Sequence, residues 1–109
     1  MDSAMDHAAT DAIPDVTPIH VTLLTQAHCG FCEQAEETLE RLAREYSLTL
    51  TYVNLASVEG HQLALRHGII FAPGVLLDDD FFSYGRLSER KLRRALDARL
   101  ARRVTATGE

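Results

Sequence analysis

The chain predicts an α/β fold ordered β-α-β-α-β-β-α, a four-stranded mixed sheet flanked by three helices. Three observations carry this reading. Strand-like apolar runs at residues 19–25 and 49–55 each lead into a stretch with helical spacing. The breakers Gly68 and Pro73-Gly74 then separate the second helix from two short apolar runs. Those runs flank Asp78-Asp79-Asp80, three consecutive acids that suit a solvated turn, so the last two strands form an antiparallel hairpin.

Each element has its own signal. Ile19, Val21 and Leu23 alternate with His20 and Thr22, and Leu24 follows, as a buried strand requires. Ala35, Leu39, Leu42 and Tyr46 recur at helical spacing and predict a core-facing stripe on a first helix over residues 33–46. Glu33, Glu36, Glu37 and Glu40 lie off that stripe, as a solvated surface. Glu37 with Arg41 and Glu40 with Arg44 form i,i+4 pairs worth ~0.3 kcal/mol each. Residues 49–55 make the second strand, and a short helix over 58–67 ends at Gly68. Val75-Leu76-Leu77 and Phe81-Phe82-Ser83-Tyr84 supply the hairpin strands. Ser88 caps the last helix, whose Leu92, Ala95, Leu96 and Leu100 form its buried stripe. The first two strands, joined through a helix, are parallel with a right-handed crossover.

At 109 residues the chain is one domain, large enough to bury a core without staples. Residues 1–17 read as a flexible acidic leader, 18–103 as the folded domain and 104–109 as a short tail. Asp2, Asp6, Asp11 and Asp15 face no Lys or Arg in the leader, so it supplies most of the net charge of -5. That charge argues against nucleic acid as a partner. No apolar run approaches the roughly 18 residues of a membrane span, so no membrane association is expected. The first residues lack a basic region followed by an apolar one, so no secretory signal is expected either. Arg90, Lys91, Arg93, Arg94, Arg99, Arg102 and Arg103 make the far end basic, which on a terminal helix reads as a solvated face.

The chemistry concentrates at Cys29-Gly30-Phe31-Cys32, which holds both cysteines and lies where the first strand gives way to the first helix. Without an export signal a structural disulfide framework is not expected; a cytoplasmic pair is catalytic, redox-sensing or metal-binding. Four readings remain open. As a dithiol oxidoreductase, Cys29 is the nucleophile, because a helix N-terminus offers free N–H groups and partial positive charge to a thiolate. Cys32, one turn further in, is the resolving thiol. Gly30 leaves the sulfur approachable and Phe31 offers an apolar rim to a substrate. As a zinc site, the pair needs two more ligands from His20, His28, His61 or His67, and none of these forms a finger-spaced pair with another histidine. A redox sensor and an inert core pair complete the set. His28, next to Cys29, either lowers the thiol pKa as an imidazolium or is an exposed loop residue.

The order of elements, a C-x-x-C after the first strand and a proline before the third together resemble the thioredoxin superfamily in its minimal, glutaredoxin-like form, over residues 19–101. Tyr84-Gly85-Arg86-Leu87 matches the glycine that ends the hairpin in small glutaredoxin-like proteins. The resemblance implies a cis bond at Ala72-Pro73, with the Ala72 backbone and Pro73 contacting an incoming peptide or glutathione. It also implies no metal at the cysteines and no cofactor beyond the redox-active disulfide, glutathione being a possible co-substrate.

The surroundings of the motif differ from the family patterns. Thioredoxins carry a tryptophan before the motif and a buried acid beneath it; this chain has no tryptophan, and its first strand has no acid, leaving water, His20 or another group to handle the Cys32 proton. The Gly-Gly pair of the glutaredoxin glutathione site is absent, Gly85 being followed by Arg86, which offers a charge for a carboxylate. Gly-Phe between the cysteines, without proline, implies a poorer reductant than thioredoxin. The resulting expectation is a monomeric cytoplasmic thiol–disulfide oxidoreductase acting on protein disulfides or glutathione, with a flavoprotein reductase upstream. The competing class is a non-catalytic binding or redox-sensing module with zinc on the C-x-x-C.

Overall fold

The computed structural model describes residues 17–108. The expected leader therefore lies outside the described residues except for Thr17. The elements follow the expected order: β1 (Ile19–Thr25), α1 (Gly30–Leu42), β2 (Leu48–Asn54), α2 (Val58–His67), β3 (Gly74–Leu77), β4 (Asp80–Tyr84) and α3 (Glu89–Gly108). One compact unit, Pro18–Glu89, holds the sheet, α1 and α2; the second holds α3 from Arg90.

The sheet order is β2-β1-β3-β4, with β1 parallel to β2 and antiparallel to β3, and β3 antiparallel to β4. As an interior strand, β1 is covered on both faces. Ile19, Val21, Leu23 and Leu24 are fully buried, each contributing about 1.5–3 kcal/mol of transfer free energy. Thr22, read as a polar alternation, is buried with them. β3 is buried along its whole length, whereas β2, at the sheet edge, buries only Val53.

α1 starts and stops about one turn earlier than its periodicity suggests. Its buried stripe is Cys32, Ala35, Leu39 and Leu42, so the second cysteine belongs to the core-facing series. Beyond Leu42 the backbone tightens: Arg44 N–H donates to Arg41 O and Glu45 N–H to Leu42 O, i→i+3 bonds that end the α-helix. Tyr46 follows these turns, half-buried, outside the helix. Of the acids on α1, Glu33, Glu37 and Glu40 are exposed and Glu36 is half-buried.

β2 passes into α2 through a local network. Asn54 Oδ1 accepts from Ala56 N–H at 2.7 Å, and Ser57 Oγ, the N-cap, accepts from Gly60 N–H at 3.0 Å. Gly60 is required by a close approach, since a Cβ there would overlap the Asn54 carbonyl oxygen. Gly68 caps the helix in the left-handed region, φ 68°, as expected. Leu24, Ala64, Ile69 and Leu76 then form a buried cluster joined by Leu55, Leu63 and Tyr84.

The hairpin turn is two residues long. Asp78 and Asp79 have φ of 49° and 69°, as a type I′ turn requires, while Asp80 already pairs with Leu77. The pairing slips between Val75 and Leu76, a bulge that accommodates Phe82. Asp78 is more than a solvated tip. It is half-buried, its N–H donates to His20 O at 2.7 Å, and its Oδ1 accepts from His20 N–H at 2.9 Å. This reciprocal pair extends the β1–β3 ladder by one step.

In α3, Leu92 and Leu96 are buried while Ala95 and Leu100 are half-buried, a narrower stripe than expected. Arg90, Lys91, Arg94 and Arg102 are exposed, in keeping with a solvated basic face. The helix runs to Gly108, through most of the segment expected as a tail. Among the described residues no helix is long and apolar enough to cross a membrane.

Candidate active site

Position 29 is fixed from both sides. β1 ends at Thr25, whose carbonyl accepts from Leu55 N–H at 2.7 Å, which ties the strand end to the segment after β2. Gln26, Ala27 and His28 form an exposed loop, and His28 has φ 55°, a left-handed conformation uncommon outside glycine. Cys29 is then the N-cap of α1. Its Sγ accepts from Cys32 N–H at 3.1 Å, and its carbonyl accepts from Cys32 and Glu33 N–H, each at 3.1 Å. A sulfur thus takes the place of the usual Ser, Thr or Asp oxygen at a helix start.

Cys29 and Cys32 are joined as a disulfide, with a Cα–Cα distance of 5.2 Å. The two sulfur-bearing residues differ in access: Cys29 is half-buried, Cys32 only 2% exposed. Gly30 between them is open; a Cβ built there meets no other atom within 4 Å. Phe31 is half-exposed at 50%.

The Ala72-Pro73 bond is cis, and both residues are buried. Gly74 pairs with Leu24 near the C-terminal end of β1, so the proline and the cysteine loop leave the same end of adjacent strands. Pro73 O accepts from Gly85 N–H at 2.7 Å, which joins the proline to the end of β4. Phe71 packs edge-on against Tyr84, with ring centroids 5.1 Å apart, and its ring edge lies 3.4 Å from where a Cβ on Gly85 would sit.

The apolar stretch 69–72 divides in a way the sequence does not reveal. Ile69 and Ala72 are buried, while Ile70 and Phe71 are 74% and 51% exposed. A four-residue apolar run before a breaker has no period long enough to tell the two kinds apart. The histidines scatter. His20 stands at the start of β1, about 16–17 Å along the strand from its end, and its Nε2 lies 2.7 Å from Thr51 Oγ1. It is therefore not at hand for a proton on Cys32. Among the described residues no three His, Cys, Asp or Glu side chains converge as a metal site.

A second feature adjoins the cysteine helix. Gln34, Ala35 and Thr38 of α1 face Arg86, Leu87, Ser88 and Glu89 across a cleft of about 470 Å³. Arg41, one turn beyond Thr38, pairs with Glu89 at 2.9 Å. Only the fold brings residues 34–38 beside 86–89, so sequence spacing gives no sign of it.

Comparison with known proteins agrees with this geometry. Residues 20–97 match the family model of a glutaredoxin-like domain. A probable thioredoxin from Archaeoglobus fulgidus is 26% identical over 78 residues, covering 72% of this chain and 86% of that protein. In fold, the chain is similar to a mutant thioredoxin from Halobacterium salinarum, with a TM-score of 0.60 at 19% identity, covering 90% of this chain and 84% of that one. The sheet order, the mixed pairing and the three helices are those of a thioredoxin-like fold.

Proposed function

The chain belongs to the glutaredoxin-like domain family, and on that premise we propose that it is a thiol–disulfide oxidoreductase exchanging its Cys29/Cys32 dithiol with protein or small-molecule disulfides. The observation that carries this reading is the asymmetry of the pair: Cys29 is half-buried at a helix cap, and Cys32 lies within the core stripe.

In the reduced protein, the Cys32 N–H and the helix N-terminus favour a thiolate on Cys29. That thiolate attacks a substrate disulfide RSSR. A Cys29–S–S–R bond forms, and RS⁻ leaves to take up a proton. Cys32 then loses its proton and attacks the Cys29 sulfur, which restores the internal disulfide and releases the second thiol. In sum, one dithiol and one RSSR give one protein disulfide and two RSH. The two electrons come from the cysteines and are replaced by glutathione or a flavoprotein reductase. Phe31 and the backbone around Ala72-Pro73 are the proposed substrate contacts, and His28 the group that further lowers the Cys29 pKa. A single redox pair without other cysteines suits the reducing cytoplasm.

Reduction of insulin or of a small disulfide, driven by dithiothreitol, tests the proposal. Turnover should vanish in Cys29→Ser, and Cys32→Ser should accumulate the mixed disulfide on Cys29, read by mass spectrometry. Turnover that survives Cys29→Ser would overturn it.

A further inference from the structure

We propose that the outer edge of β2 is a docking site for an extended, basic segment of a partner protein, which adds there as one more strand of the sheet. β2 runs for seven residues and pairs with β1 alone among the described strands. The hydrogen bonds at its two ends fix which backbone groups face outward. Ser47 O accepts from Ile19 N–H at 2.9 Å, and Leu55 N–H donates to Thr25 O at 2.7 Å. In a parallel ladder alternate residues turn both N–H and C=O to the same neighbour, so Thr49, Thr51 and Val53 face β1. Leu48, Leu50 and Tyr52 turn theirs away from the sheet, where they meet no partner among the described residues.

The two edges of the sheet are built differently. Edge strands are normally blunted by shortness, charge, proline or a bulge. β4 has three of these devices: it is five residues long, it carries Asp80, and its pairing slips between Val75 and Leu76. β2 has none of them. Its register with β1 is unbroken over all seven pairs, and its sequence holds no charge, proline or glycine. Thr49, Thr51, Tyr52 and Val53 are of the types that favour strand pairing. An edge in this state is a template for strand addition.

Charge selects the occupant. Glu40 reaches over from α1: its Oε2 accepts from the Tyr52 hydroxyl at 3.2 Å, and it makes no ion pair among the described residues. Glu36, one turn earlier, is the other charge acting on the phenol. No Lys or Arg occurs from Glu45 to Leu65. A second copy pairing antiparallel through β2 would set the Glu36 and Glu40 of both copies on one face of the joined sheet. The segment before β1 carries Asp2, Asp6, Asp11 and Asp15 and no Lys or Arg, so its charge is wrong as well. A strand with Lys or Arg at every second position suits the edge. Its cations then lie on the α1 face beside Glu40 and the Tyr52 ring, and its other side chains lie on the face of Thr49 and Thr51.

The test uses the full chain, oxidised, and the peptide acetyl-Thr-Lys-Val-Lys-Val-Lys-Thr-amide, followed by amide resonances. The peptide should shift the resonances of residues 48–54 and slow hydrogen exchange at the Leu50 and Tyr52 amides. Affinity should fall with added salt. The analogue with Glu for Lys should not bind, and neither should the lysine peptide N-methylated throughout, which keeps the charge but loses the donors. Glu40→Gln should weaken the lysine peptide about two- to fivefold and leave a glutamine analogue unchanged. Leu50→Pro removes an outward donor and no bond to β1, and should abolish binding. Glu40→Gln alters an exposed side chain and keeps the test decisive if Leu50→Pro fails to fold.

Equal binding of the lysine and glutamate peptides would overturn the proposal, as would binding of the N-methylated peptide or shifts confined to other elements. So would unchanged affinity in Glu40→Gln. Leu50 and Tyr52 amides already protected in the protein without peptide would overturn it too, because the chain would then cover its own edge. A dimer seen by sedimentation and lost in Leu50→Pro would assign the edge to a second copy instead.

Discussion

The Cys29 sulfur accepts a hydrogen bond from the Cys32 backbone N–H at 3.1 Å, so the partner in the disulfide also supplies a donor to the proposed nucleophile. The donor is part of the helix and stays in place when the sulfur–sulfur bond opens. A thiolate formed at Cys29 therefore meets an amide already oriented toward it. Substituting Cys32 removes the proposed resolving thiol but leaves this amide. Cys32→Ser should keep the first attack and lose the second: single-turnover thiol release near wild type, multiple turnover abolished, and one equivalent of substrate retained by mass. Parallel loss of both steps would mean that the sulfur of Cys32, not its amide, activates Cys29.

Tyr52 gives a pH signature away from the cysteines. Although Tyr52 is 43% exposed, its phenol is pushed up to about 12, by partial desolvation first, then by the Glu40 charge, the hydrogen bond to Glu40 at 3.2 Å and the Glu36 charge. Because the folded pKa exceeds the ordinary phenol value of 10.0, the associated stability is full below pH 10 and is lost as pH rises toward 12. Tyrosinate absorbance should show Tyr52 ionising near pH 12, a transition absent in Tyr52→Phe. In Glu40→Gln the transition should move down toward 10. The alkaline loss of stability should be shallower in Tyr52→Phe.

Gly60 meets the chain with no room for a side chain, since a Cβ would overlap the Asn54 carbonyl oxygen. Gly60→Ala gains helix propensity of up to ~1 kcal/mol, yet forces α2 away from the end of β2. Overpacking of this kind costs about 1–3 kcal/mol, so the net should be destabilising. Urea denaturation checks it: a midpoint at or above wild type would mean that the α2 start shifts freely.

The two-residue turn offers the opposite change. Asp79 holds φ 69°, which glycine adopts without steric cost and an L-residue does not. Asp79→Gly creates an Asp-Gly turn of the preferred type and should stabilise the protein by about 0.5–1 kcal/mol. Thermal unfolding reads the gain. A loss would point to a contact of the Asp79 side chain that outweighs the backbone relief.

The element order was legible because each segment keeps one period long enough to declare itself. Ala35, Leu39 and Leu42 announce α1, and the alternation from Ile19 to Leu23 announces β1. The start of α1 was not legible, because Gly30 and Phe31 lie off the buried stripe and Cys32 reads as chemistry before it reads as core. The acids at 78–80 looked alike in sequence, but only register separates the half-buried Asp78, tied to His20, from Asp80 in the strand. At the site, the junction bearing Cys29 was visible from local pattern, and the cis bond at Ala72-Pro73 followed from family resemblance. The exposure of Ile70 and Phe71, and the cleft between residues 34–38 and 86–89, arise from contacts between distant segments that no local pattern encodes.

Gly30 has an evolutionary consequence. A side chain there would touch nothing within 4 Å, so this part of the intervening dipeptide is free of any packing duty. The residues between paired cysteines tune how readily the pair gives up electrons. Here one of them can vary while the core of Ala35, Leu39 and Leu42 is untouched. Under the proposed function, selection can therefore adjust the direction of electron flow by point substitution without first securing extra stability. The scaffold and its chemistry are separately heritable traits.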